Sequence, residues 1–319
     1  MNCIFKLKYI FIYNIIRISF NLKNSFRYLV PACNATLLEK IKLITTYFIS
    51  ILNQTLYLYK PFNPIIGETF QCLLKDPRNK DNEEIMFYAE QTSHHPPICN
   101  FYATHKLFKV YGHRYAKPST SGGNSIYANM GGEYIIEFND KSKVTLKYGN
   151  FVINGIIIGN KSVNYTGNFI IEDKVNKIKS IFKVNPQEKK SGILNKIFGK
   201  RKNYFPDYFK GFIAYTDDIK YDKNQDSYEC NDELILSKYE GEYNSYLNID
   251  NNKCWDIDDN CDKNSALMLK DKFVLESDCR LRSDILLYKQ KIFDLAQYAK
   301  MILEDTQRND AKLRKSQKN

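Results

Sequence analysis

Between Lys60 and about Tyr215 the chain is a succession of short apolar runs: Phe87 to Glu90, Ile98 to Ala103, Tyr134 to Phe138, Val144 to Tyr148, Phe151 to Ile158, Asn168 to Ile171 and Lys179 to Val184. Turn residues such as Gly122-Gly123, Gly131-Gly132 and Asn139-Asp140 separate them, which is the signature of successive strands joined by tight turns. So many meandering strands rarely remain an open sheet, because exposed edges must be closed or covered, and a large antiparallel β-barrel is therefore expected. The 24 tyrosines and 20 phenylalanines suit alternate positions on such a wall.

Helices are expected on either side of these strands. Residues 35 to 57 place Leu37, Leu38, Ile41, Leu43, Ile44, Tyr47, Phe48, Ile51 and Leu52 along one buried helical face. A charged helix runs from about Ile285 towards the C-terminus, with frayed final residues. The Asp-, Asn- and Lys-rich stretch 217 to 263, around the lone Trp255, reads as a variable insertion. With 319 residues and 43% hydrophobic content, the chain can bury a sizeable core in one large domain or two small ones.

The formal net charge of +11 permits acidic partners: nucleic acid, anionic membrane or a phosphorylated small molecule. Acidic residues are interspersed and no RNA-recognition aromatic pattern occurs, so anionic membrane surface is favoured and nucleic acid is not. A basic stretch from Lys189 to Lys202, interleaved with Ile193, Leu194, Ile197 and Phe198, can wet such a bilayer; a solvated loop is the alternative. Residues 3 to 22 are apolar but broken by Lys6, Lys8, Asn14 and Arg17, which disfavours a membrane span. Residues 1–27 are read as an amphipathic, lid-like or membrane-touching leader, with an uncleaved anchor or a poorly specified leader as alternatives. The eight cysteines include no CxxC and no zinc-knuckle spacing, which points to reduced thiols in the cytosol and to neither metal nor cofactor.

Two proline-braced segments are the most specific features. In Glu90-Gln91-Thr92-Ser93-His94-His95-Pro96-Pro97, the prolines forbid helix, so the two histidines end a strand with imidazoles pointing in different directions. Such a pair can grip one bulky anion from two sides. Adjacent histidines lack the i,i+4 geometry of a zinc protease, and Ser93-His94 lacks a nucleophile elbow, so neither a metal nor a hydrolase reading is favoured. Upstream lies Lys60-Pro61-Phe62-Asn63-Pro64-Ile65-Ile66-Gly67-Glu68, with one lysine and one amide. Cys72 and Arg78 match the Cys-x5-Arg count of cysteine phosphatases, but Pro77 and the absence of glycine argue against a phosphate-cradling loop.

Together the two segments resemble the fingerprint of the oxysterol-binding-protein-related lipid-transfer family, in which EQ, a small residue and SHHPP follow KP(F/L)NPxxGE. Ser277-Asp278-Cys279-Arg280-Leu281-Arg282-Ser283-Asp284 is similar to the family's (S/T)DxRxRPD element, with Ser283 in place of proline. Asn154-Gly155-Ile156-Ile157-Ile158-Gly159 is similar to its central strand, and the helix bearing Lys300, Glu304 and Arg308 to its final charged helix. The resemblance assigns residues 28–319 to the lipid-binding domain.

On spacing alone, Lys300, Glu304 and Arg308 form an ordinary i,i+4 salt-bridge ladder. The resemblance implies more: Lys60, Asn63, His94, His95, Lys300, Glu304 and Arg308 clasp the head group of phosphatidylinositol 4-phosphate at a barrel mouth. It further implies a mostly β fold, an incomplete antiparallel β-barrel enclosing a lipid tunnel with N-terminal helices or lid and C-terminal helices. A second lipid, sterol or phosphatidylserine, would share the tunnel for exchange between membranes, without covalent chemistry. The chain is then expected to be a cytoplasmic monomer, peripheral at membranes. A non-transporting sensor or scaffold is the alternative.

Overall fold

The computed structural model describes residues 25–52, 64–75, 84–94, 96–120, 123–185, 206–260, 267–268 and 274–317. Among the described residues two helices come first, α1 (Ser25–Ala32) and α2 (Leu37–Ser50). The strands that follow are β1 (Thr69–Lys75), β2 (Glu84–His94), β3 (Pro97–Thr104), β4 (Phe108–Thr120), β5 (Ser125–Phe138), β6 (Lys143–Lys147), β7 (Asn150–Asn154), β8 (Ser162–Asp173), β9 (Ile178–Val184) and β10 (Tyr208–Tyr215). A small hairpin, β11 (Lys220–Asp222) and β12 (Ser227–Glu229), precedes β13 (Ser237–Glu242), β14 (Tyr246–Ile249), β15 (Asn252–Asp256) and β16 (Leu267–Met268). Two further helices, α3 (Ser283–Lys289) and α4 (Phe293–Ser316), complete the described chain.

Fourteen strands form one sheet in the order β15-β14-β13-β10-β9-β8-β6-β5-β4-β3-β2-β1-β16, with β7 between β5 and β8. The fold is therefore mostly β, one long antiparallel meander flanked by helices, as expected. Strands β6 and β7 act as a single interrupted strand. On β5, Tyr134 pairs with Leu146 of β6 and Ala128 with Phe151 of β7, leaving the intervening stretch of β5 opposite the break.

The sheet winds around α2. Lys40 Nζ donates to Ser142 Oγ in the β5–β6 turn (2.9 Å), while Lys42 Nζ pairs with Asp250 in the β14–β15 turn (2.9 Å). In a flat sheet β5 and β14 would lie six strand spacings apart, roughly 29 Å, whereas a helix with its side chains is only about 10–12 Å across. One turn of helix touches both, so the sheet must curl. Farther along α2, Thr45 Oγ1 meets Ser180 Oγ (2.8 Å), and the hydroxyl of Tyr47 is hydrogen-bonded to that of Tyr134. Phe48, fully buried, packs edge-on against Tyr148, Phe169 and Phe182 at ring separations of 4.7, 5.9 and 6.0 Å. Phe48→Ala is expected to cost about 3–5 kcal/mol, because neighbours held by a sheet cannot collapse into the space. A urea midpoint unchanged from the wild type would show that α2 is not what fills the interior.

Three local expectations need correction. The run Phe151 to Ile158 does not remain strand: β7 ends at Asn154, Gly155 adopts φ +70, and a Cβ there would lie 2.2 Å from Asn160 O. Ile157 and Ile158 are exposed, and Asn124 Oδ1 accepts from both of their backbone N–H groups at 2.7 and 3.0 Å, so this is a side-chain-held turn. Nor is 217 to 263 an insertion outside the sheet, because β13, β14 and β15 extend the sheet beyond β10 with Trp255 buried. Their strands are short and their turns rich in Asp and Asn, which masks the alternation of Tyr239, Leu247, Ile249 and Trp255. Finally, the C-terminal helix is two helices, α3 and α4, parted at Lys291 with φ +64. Among the described residues no helix is long and apolar enough to cross a membrane. Residues 3 to 22, and the basic stretch from Lys189 to Lys202, lie outside the described residues.

Candidate functional site

His94 is the last residue of β2, and its Cα partner is Pro97, the first residue of β3. The strand ends where the sequence places its end. Pro97 is tolerated there because a strand's first position can spare an N–H donor. The β2–β3 register shifts between Gln91 and Ser93, and such a bulge adds twist and re-aims the side chains beyond it, here including His94.

The two proline-braced segments dock on each other through main-chain bonds. Gly67, at φ +79, turns its N–H onto Gln91 O (2.8 Å), and Gln91 N donates back to Glu68 O (2.9 Å). Only glycine adopts that φ without strain. The Gln91 side chain, buried, donates to Ser93 O at 2.5 Å, stiffening the approach to His94.

The third segment closes on the same place through a buried charge network that sequence reasoning missed. Glu68 Oε2 accepts from Ile65 N (2.9 Å) and from Arg282 Nη1 (2.5 Å). Arg282 also donates to both oxygens of Asp284, at 3.1 and 2.6 Å. One turn earlier, Asp278 accepts from Gln71 N (3.0 Å) and from Arg280 Nε and Nη2 (2.7 and 2.8 Å), while Arg280 Nη2 reaches Gln71 O (2.7 Å). Asp278 and Asp284 are fully buried and Glu68 is nearly so. Burial pushes the Glu68 carboxyl up, against the pull of Arg282. Burial also works against the Arg282 charge, but Glu68 and Asp284 more than offset it and hold the guanidinium protonated. The signal in the sequence was the charge matching itself, an acid closing one segment and arginines alternating with acids in another. Ser283 stands at the first position of α3, where proline is otherwise favoured, so its presence leaves Arg282 and Asp284 in place.

Lys300, Glu304 and Arg308 lie on one face of α4. Glu304 sits between the two cations, 3.9 Å from Lys300 Nζ and 3.3 Å from Arg308 Nη2, and Arg308 also pairs with Asp305. Lys300 and Glu304 are half-buried, whereas the Arg308 side chain is 63% exposed. Lys60, Asn63 and His95 lie outside the described residues, so the structure places His94 and the α4 triad only.

Other features fall elsewhere. Cys72 is buried within β1, an extended strand whose N–H groups do not converge on its sulfur, and Arg78 lies outside the described residues. Burial pushes the Cys99 and Cys279 thiols up to about 12, which leaves them un-ionised and inert. Among the described residues, no cluster of three or more His, Cys, Asp or Glu side chains could hold a metal ion. A groove of about 760 Å³ on the flank of the sheet, lined by Lys183, Lys210, Tyr228, Ser237 and Glu240 among others, contains none of the predicted head-group residues.

Comparison with known proteins finds relatives of this chain. The family model described as "Oxysterol-binding protein" matches residues 24–319. Oxysterol-binding protein 9 of Dictyostelium discoideum is 28% identical over 277 residues, 86% of this chain and 61% of the relative. Oxysterol-binding protein-related protein 8 of Homo sapiens is 34% identical over 168 residues, 50% of this chain and 18% of the relative. The chain thus spans less than two thirds of either curated relative. Among solved structures, the Osh3 ORD of Saccharomyces cerevisiae in complex with PI(4)P superimposes with a TM-score of 0.67 at 19% identity, covering 94% of this chain and 77% of that one. The Osh1 ORD domain in complex with ergosterol gives 0.70 at 17% identity, covering 95% and 73%. At these identities the structural likeness speaks to the fold.

Proposed function

Since the chain belongs to the oxysterol-binding protein family, we propose that it extracts phosphatidylinositol 4-phosphate and a second lipid, sterol or phosphatidylserine, and exchanges them between membranes. The observation that carries this reading is the docking of Gly67-Glu68 on Gln91, with Arg282 locked onto Glu68. It ties the strand that leads to His94 and the Gly67-Glu68 turn to the segment that opens the C-terminal helices.

The chemistry suits a phosphorylated inositol. Arg308 offers paired N–H donors to phosphate, Lys60 and Lys300 add compact positive charge, and His94 and His95 donate hydrogen bonds that strengthen when an adjacent phosphate keeps them protonated. Glu304 accepts from inositol hydroxyls and spaces the cations beside it; Asn63 donates through its amide. Moving a lipid through water exposes its chains at about 0.8 kcal/mol per methylene, so an apolar sleeve is required. Residues 1–27 serve as its lid-like leader. The protein acts as a cytoplasmic monomer, peripheral at anionic membranes.

The test is a donor-to-acceptor vesicle assay with labelled phosphatidylinositol 4-phosphate. Catalytic acceleration of equilibration supports transfer. Stoichiometric sequestration without equilibration would identify a sensor or scaffold instead.

A further inference from the structure

We propose that Arg114 and Tyr148 form an oxyanion subsite in the wall of the sheet, which receives the carboxylate or phosphate oxygens of a ligand terminus. This site shares no residue with the proposed head-group clamp and does not depend on it.

Arg114 lies on β4, level with Cys99 on β3 and Gly132 on β5. It is only 4% exposed, and among the described residues no carboxylate pairs with it. Its guanidinium lies 4.0 Å from the centroid of the Tyr148 ring. That contact engages the ring face and leaves one guanidinium nitrogen unspent: Arg114 Nη1 is buried and has no protein acceptor among the described residues, and Tyr148 Oη is in the same position. Two buried donors in one place, one of them cationic, define a site for a negatively charged acceptor. A guanidinium edge matches the planar oxygens of a carboxylate or phosphate, and the phenol adds a further donor. Burial keeps that phenol protonated, since it pushes Tyr148 well above the ordinary tyrosine range.

A cavity accompanies the donors. It measures about 250 Å³ and is lined by Arg114, Tyr134, Tyr148, Gly131, Gly132 and Leu146. The opening follows from the sheet itself: β5 loses its partner between Tyr134 and Ala128, opposite the break between β6 and β7. The two glycines bring no side chains there. A Cβ on Gly131 would displace the Tyr115 ring, and one on Gly132, at φ +107, would run into the backbone carbonyl of His113, so a larger residue is excluded at Gly132. Glu133, also on the lining, is exposed and forms no ion pair with Arg114. The volume falls below that of common drug-sized pockets, about 300–1,000 Å³. It suits an anionic terminus or a small free anion, not a whole phospholipid.

Equilibrium dialysis of the full chain against radiolabelled oleate and, separately, radiolabelled orthophosphate tests the assignment. At least one probe should bind saturably with one site per chain. Arg114→Met should raise its Kd tenfold or more, Arg114→Lys less, and Tyr148→Phe about threefold. Oleate binding would identify a lipid carboxylate as the source and orthophosphate binding a free anion, while methyl oleate should bind wild type and Arg114→Met alike. Arg114→Met should also melt no lower than the wild type and lose the probe-induced rise in melting temperature. The assignment is overturned if neither probe binds the wild type, or if Arg114→Met binds with unchanged Kd. Should that variant fail to fold, Tyr148→Phe, which removes one oxygen, decides: an unchanged Kd there overturns the two-donor site.

Discussion

Arg282→Met is expected to destabilise the protein by about 3–5 kcal/mol, the usual effect of removing one partner from a buried ion cluster. The side chain keeps its bulk but leaves Glu68 and Asp284, both buried, without their shared cation. Two carboxylates would then face each other in a low-dielectric site. The apparent melting temperature should fall by roughly 5–15 °C. Arg282→Lys should recover only part of the loss, because a single ammonium cannot span two carboxylates as a planar fork does. Combining Arg282→Met with Glu68→Gln and Asp284→Asn should restore much of the stability, since the penalty lies in unpaired charge more than in lost attraction. A melting curve for Arg282→Met overlaying that of the wild type would show that the network does not hold the C-terminal segment.

The double variant His94→Ala, His95→Ala is expected to abolish phosphoinositide transfer in the vesicle assay. Each imidazole is asked for a charge-assisted hydrogen bond worth about 1.5–3 kcal/mol, so losing both should weaken head-group binding by about two to four orders of magnitude. Stability should change little. His94 ends its strand, and main-chain bonds among Gly67, Glu68 and Gln91 fix this hairpin. Transfer persisting at the wild-type rate would remove the histidines from the site. Cys72→Ala should leave transfer unaffected, as expected of a buried strand residue.

Much of this architecture was legible because period-two apolar runs survive wherever a strand is long. The runs Phe87 to Glu90 and Lys179 to Val184 fall inside β2 and β9. Legibility failed where local and tertiary signals part. Ile156 to Ile158 has strand composition, yet Gly155 and the Asn124 carboxamide turn the chain. Strands β13 to β15 are too short, and too rich in turn residues, to stand out before β10 gives them a pairing edge. In the candidate site, the end of β2 at His94 and the shared face of Lys300, Glu304 and Arg308 followed from proline chemistry and helical spacing. The Glu68–Arg282–Asp284 cluster did not, because burial decides whether opposite charges are solvated decoration or an internal lock. Arg114 was invisible for the same reason.

The grip of α2 on both Ser142 and Asp250 bears on how the molecule comes into being. An early helix whose companions are translated much later must wait, apolar face unsheltered, until the final strands emerge. Such long-range closure makes for slow folding and exposes the nascent chain to aggregation. Truncations ending before Asp250 should therefore accumulate in inclusion bodies or on chaperones.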